Sequence, residues 1–274
     1  MSARRLDPAK RRSPWRRWVR IGFLVWALVS TGWLYNSFRT QGVAPALLAS
    51  DGVVTVQSSK DALVFLPVSA AGSSGLVFIA GAGVAAEAYA PLLRPLAEAG
   101  YPVFVVRLPF RIAPLERHKV SAVARVRAIQ AAPDPAKRWV VAGHSLGGAL
   151  ACRIAADPPA SVAAVVLVGT SHPKTIDLSG TRIPITKVYA TKDGIATIEM
   201  IRANRDLLPA DTHWIEIDGG NHSQFAHYGR QLFDGSPTIS REEQQVRTRA
   251  ALLDALDQGD RGDGLEPSPA RAAG

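Results

Sequence analysis

The chain has 274 residues, enough for one sizeable α/β domain with its own core or for two small domains. Its single cysteine, Cys152, excludes a disulfide framework and a Cys-rich metal site. Of the net charge of +9, +7 falls in the first twenty residues, which argues against the basic folded surface that a nucleic-acid binder needs.

Residues 1–20, "MSARRLDPAKRRSPWRRWVR", form a basic leader. Residues 21–38, "IGFLVWALVSTGWLYNSF", then run for 18 positions without a charge. As a helix this stretch would be roughly 27 Å long, close to the thickness of a bilayer's hydrocarbon core. Trp18 at one end and Trp33 with Tyr35 at the other suit the two interfaces, and Arg20 can snorkel outward. The expectation is a single transmembrane anchor, with the leader cytoplasmic by the positive-inside rule and the rest of the chain outside the cytoplasm. A cleaved signal peptide with a weak Ala44-x-Ala46 site is the alternative, and would make the protein secreted. A buried core helix is a third reading, at odds with so many flanking arginines.

Residues 39–50 read as a linker, and 51–257 as the folded domain. "GVVTVQ" (52–57) and "ALVFLPV" (62–68) predict an antiparallel pair at a sheet edge. "GLVFIAG" (75–81), "YPVFVVRLP" (101–109), "RWVVAG" (138–143), "VAAVVLVG" (162–169), "IPITKVYA" (183–190) and "HWIEID" (213–218) predict further strands. Helices are expected at 89–100, around 119–132, 146–156 and 196–208, and from a capping box at Ser240 and Glu243. In that last helix Val246, Ala250, Leu253 and Leu256 share a face. Residues 258–274 have too few apolar side chains to pack and read as a disordered tail. This alternation implies a mostly parallel sheet covered by helices on both faces, with active groups at the carboxyl ends of the strands.

Gly143-His144-Ser145-Leu146-Gly147 matches G-x-S-x-G between a buried strand and a helix. In that setting the turn is so sharp that a Cβ at either glycine would collide with a neighbouring element, and the Ser145 hydroxyl is presented at the sheet edge. The N–H of Leu146 then faces a developing oxyanion. A serine nucleophile needs a base. His222, in "IDGGNHSQF" after the last strand, is the first candidate and His227 the fallback; His144 points away from its neighbour and reads as structural. Asp193, in the turn after the strand at 183–190, is the candidate acid, with Asp218 as competitor. The second oxyanion donor is sought among Gly81, Ala82 and Gly83, and Ala82 N–H is the first choice.

The elbow, the acid after a strand and the late histidine together resemble the α/β-hydrolase superfamily over residues 75–257. "AYAPLLRPLAEAGYPVFVVRLPF", "GHSLGGALA", "GGNHSQFAHYG" and "TISREEQ" look like a compact bacterial subgroup that carries an N-terminal anchor. The resemblance implies Ser145, Asp193 and His222 as a triad and hydrolysis of an acyl bond, with no metal and no organic cofactor. Two departures stand out: Ala80-Gly81 replaces the common His-Gly before the oxyanion loop, and Ser145 stands where dienelactone hydrolases use cysteine. Only residues 170–182 lie where lipases insert a lid, so no large cap domain is expected. The expected activity is that of a serine esterase acting on a small-molecule acyl substrate. The alternatives are an acyltransferase or thioesterase on the same scaffold, or a non-catalytic ligand-binding relative.

Overall fold

A computed structural model describes residues 14–132 and 136–262 of the chain. It divides into two units, residues 1–37 and 38–274. Helix α1 (Pro14–Phe38) is 25 residues long, falls in the first unit but for its last residue, and starts about two turns before the uncharged stretch. It is the one helix among the described residues that is long and apolar enough to cross a membrane, and Trp18, Phe23, Leu24, Trp26 and Leu28 are exposed along it. The first thirteen residues of the basic leader, and residues 263–274 of the tail, lie outside the described residues.

The second unit is built on one eight-stranded sheet of order β1-β2-β4-β3-β5-β6-β7-β8. Strands β1 (Val54–Ser58) and β2 (Ala62–Pro67) are antiparallel, as expected of the pair at 52–57 and 62–68, and β2 joins the rest antiparallel to β4. Strands β3 (Ser74–Ile79), β4 (Val103–Val106), β5 (Arg138–His144), β6 (Val162–Val168), β7 (Ile185–Ala190) and β8 (His213–Ile217) run parallel. All eight predicted strands are present. The span 101–109 is trimmed most, because the chain turns at Pro109 into a tight helical bend.

Strand alternation loads both faces with apolar side chains. Leu76, Phe78, Val140 and Ala142 face helices α2 (Ala90–Glu98) and α6 (Arg241–Arg261). Val77, Ile79, Val141, Val165 and Leu167 face α3 (Glu116–Ala131) and α4 (Leu146–Ala156). The expected helix at 196–208 is shorter: α5 (Ile198–Arg202), capped by Thr197, is followed by a separate turn at Arg205–Leu207.

Two expectations change, both in α6, and the linker at 39–50 is docked on the domain. Buried Arg94 of α2 donates to the carbonyls of Leu47 and Ala49 and pairs with Asp51, while Gln41 N–H donates to His227 O. Helix α6 runs past residue 257 to Arg261, because Asp260 is buried and accepts from the N–H groups of Ser73 and Ser74 at the start of β3. The buried stripe of α6 is also rotated from the apolar one. Val246 and Ala250 are exposed, and Gln244, Gln245 and Thr248 are buried above Ala251, Leu252, Ala255 and Leu256.

Candidate active site

The turn after β5 is defined by steric exclusion. A Cβ on Gly143 would lie 2.3 Å from the carbonyl of Gly147, and one on Gly147 would lie 2.0 Å from Ile79 O in β3. Only glycine lets α4 start this close to the strand ends. Ser145 takes up the remaining strain with φ 55° and ψ −115°, a backbone region that costs a non-glycine residue about 1–3 kcal/mol. Its N–H donates to Val168 O of β6, and its side chain is half-buried at the carboxyl edge of the sheet.

His222 and Asp193 meet each other, and the His222 ring lies against that of the residue before Ser145. His222 Nδ1 is 2.8 Å from Asp193 Oδ2, and both side chains are buried. The other carboxylate oxygen, Oδ1, accepts from the N–H groups of Ile195 and Ala196 at 2.8 and 2.7 Å, so the acid is tied to its own turn. Asp193 therefore orients the imidazole with Nδ1–H toward the carboxylate, which leaves Nε2 as the basic nitrogen. Nε2 is buried and has no hydrogen-bond partner among the described residues. The His222 ring lies 4.6 Å from that of His144, the residue before Ser145. The competitors sit elsewhere. Asp218 is exposed and bonded to Thr191, while half-buried His227 gives its N–H to Ala88 O and its carbonyl to Gln41.

Ala82 and Leu146 are both half-buried, and no acceptor among the described residues takes either N–H. The neighbouring amides are taken. Gly83 N–H donates to Arg111 O at 2.8 Å, and Gly81 N–H donates to the Tyr89 hydroxyl at 2.9 Å. That hydroxyl lies 2.9 Å from His144 Nδ1. Burial first, and the nearby His222 second, hold His144 well below the usual imidazole range; burial pushes Tyr89 up. His144 is thus neutral and its Nδ1 accepts a hydrogen bond from the Tyr89 hydroxyl, whose oxygen accepts from Gly81 N–H. His144, expected to be structural, links the elbow to the loop after β3.

Tyr89 and Asp234 carry no local signal that marks them for this site. Asp234 is buried, and its oxygens accept from His222 N–H, Gly194 N–H, Ser223 N–H and the Ser223 hydroxyl. One carboxylate joins the Asp193 turn to the His222 loop. From the other side, Gln244 exchanges two bonds with the Asn221 backbone, and Gln245 donates to Gln224 O. These contacts explain the polar stripe on α6: it grips the histidine loop. In the sequence Asp234-Gly235 reads only as a turn dipeptide.

The model of the alpha/beta hydrolase family matches residues 75–246. The chain belongs to that family. A ferulic acid esterase from Streptomyces cinnamoneus shares the fold with a TM-score of 0.58 and 20% identity, over 74% of this chain and 71% of its own. A predicted CIB-like hydrolase from Thermoplasma acidophilum gives 0.56 at 14% identity, over 73% and 99%. No curated protein matches the chain in sequence. At these identities the likeness is one of fold. As in the compact layout expected of this alpha/beta hydrolase, residues 169–184 hold no helix or strand. Leu178 in that stretch is buried and its N–H bonds Leu207 O, next to α5.

Proposed function

We propose that this alpha/beta hydrolase cleaves carboxylic esters through Ser145, His222 and Asp193. The observation that carries the reading is the buried His222–Asp193 pair, its Nε2 unpartnered among the described residues and its ring against His144 at the strained Ser145 turn. His222 takes the Ser145 proton as the hydroxyl oxygen attacks the acyl carbonyl. The tetrahedral oxyanion receives hydrogen bonds from the Ala82 and Leu146 N–H groups, reinforced by the N-terminus of α4. His222 then protonates the leaving alcohol, and Asp193 stabilises the imidazolium in between. Water, deprotonated by His222, attacks the acyl-enzyme, and His222 returns that proton to Ser145 Oγ as the acid leaves. The chain's own residues supply every proton transfer in this sequence.

The anchor belongs to the same proposal: α1 spans the cell membrane with the basic leader inside and the hydrolase domain outside the cytoplasm. Its length, its uncharged stretch and its exposed apolar side chains support that reading over a buried core helix.

The full chain in detergent should hydrolyse p-nitrophenyl acetate and be labelled by a fluorophosphonate, with Ser145→Ala losing the label and about 10⁴-fold or more in kcat. Labelling of the alanine variant equal to that of the wild type would defeat the assignment. Transfer of the acyl group to added alcohol in preference to water would move it to the acyltransferase reading.

A further inference from the structure

Two aromatic side chains stand out on the hydrolase unit. Phe233 is 83% and Phe110 76% exposed, more than any other large apolar side chain described outside α1. Both have positive φ, 70° and 54°. Such strain persists only where the surroundings impose it. Here Arg111 O accepts the Gly83 N–H, and Asp234 accepts from Gly194 and His222, fixing the two loops beside the site. Ile112, Leu115 and Leu232 are exposed next to the phenylalanines, and Arg111, Arg117 and Arg230 lie among them.

The two loops stand at one edge of the sheet, on opposite sides of Ser145. Residues 109–113 follow β4, and 232–235 pack on the turn that follows β7, where a Cβ on Gly194 would meet Phe233 O at 2.0 Å. The chain also enters the domain at this edge. Phe38 O accepts from Arg111 at 3.1 Å, Thr40 bridges to Tyr228, and Gln41 bonds His227. Phe38 is the last residue of α1, so three residues, about 10 Å of extended chain, join the end of the apolar helix to the histidine loop. A helix seated in a bilayer releases its next residue at the membrane surface. The edge tied to that residue is the one carrying the exposed aromatic and basic side chains, which suit acyl chains and anionic headgroups.

We propose that the site-bearing edge of the domain, rimmed by Phe110, Ile112, Leu115, Leu232 and Phe233, lies against the membrane surface and takes amphiphilic acyl esters from it. The proposal rests on the anchor reading of α1. Full-length protein is placed in phosphatidylethanolamine–phosphatidylglycerol vesicles with an NBD label on Phe110→Cys, Phe233→Cys or, as control, Val68→Cys. Val68 is exposed just beyond the end of β2, whose antiparallel direction puts it at the opposite edge of the sheet, and Cys152 is buried and does not take the label. The expected result is blue-shifted emission quenched by brominated lipid at 110 and 233, and none at 68. Vesicle flotation is read on the same samples. Chain that floats with all three labels equally wet overturns the docked face and leaves the anchor standing. Chain that fails to float overturns the anchor, and the docked face with it. In the Phe110→Asp/Phe233→Asp variant, hydrolysis of a vesicle-borne ester should fall about tenfold relative to p-nitrophenyl acetate; an unchanged ratio refutes delivery from the membrane.

Discussion

The two sides of the site are held in different ways. The Ser145 turn is held from within: two glycines four residues apart, a buried strand before them and a helix after, with β3 pressed against Gly147. The His222 loop is held from outside. Its amides and carbonyls go to Asp234, Gln244 and Gln245, between 12 and 23 residues away. Ser145 is placed by what cannot fit, and His222 by bonds that must be made. Steric placement tolerates no larger side chain, whereas polar placement can be loosened in steps.

That difference can be broken first at the turn. Gly147→Ala should cost about 3–5 kcal/mol, because the new Cβ would lie 2.0 Å from a backbone oxygen in the central sheet. A denaturant midpoint within error of the wild type would show that the turn relaxes and is not sterically fixed. On the other side, Asp234→Asn keeps the shape and part of the accepting capacity while removing the charge that serves four donors. The expected loss is about a hundredfold in kcat with KM within about twofold, as for a displaced base. Equal losses through KM would point to a disturbed binding surface instead.

Lys187 gives a control on a buried polar contact that touches neither side. It is buried in β7, donates to His172 O, and is held down to about 8 from 10.5, by burial above all. Between those two pH values the unfolded chain binds more protons than the folded one, so stability rises with pH across the window. Relative to Lys187→Met, the wild type should gain about 2 kcal/mol from pH 8 to pH 10.5, with kcat at neutral pH within about twofold in the variant. Parallel unfolding curves over that range would remove Lys187 as the cause. The smallest effect is expected from Tyr89→Phe, which cuts the link between Gly81 N–H and His144. About tenfold in kcat should be lost, with the acyl-enzyme formed more slowly and KM unchanged, since the loop supplying Ala82 loses one tether of several. An unaltered rate would show that the remaining tethers, Arg111 among them, hold that loop without Tyr89.

The strands were legible because each is a short apolar run between breakers, and burial on both faces demands such runs. The elbow was legible because its glycines, its strand and its helix are contiguous. Asp193 and His222 could be named only by combining strand ends with chain order, since Asp-Gly and Gly-Gly-Asn-His are ordinary loop sequences on their own. Helix α6 shows where this reasoning stops. Its apolar spacing suggested a stripe through Val246 and Ala250, yet those residues are exposed and two glutamines are buried. A buried amide is acceptable where both of its ends find partners, and no periodicity reports where partners lie. Asp260 was read into a disordered tail for the same reason: its value comes from two amides 186 and 187 residues earlier.

By itself the sequence determined the alternation of elements, the sharp turn at Ser145 and the apolar helix near the N-terminus, because all three follow from sterics and hydrophobicity acting over a few residues. The tertiary structure decided how His222 is oriented, which amides near the turn are already occupied, and where residues 38–41 attach to the domain. Those are matters of hydrogen-bond satisfaction between distant segments, and only the packed sheet brings their donors and acceptors within reach of one another.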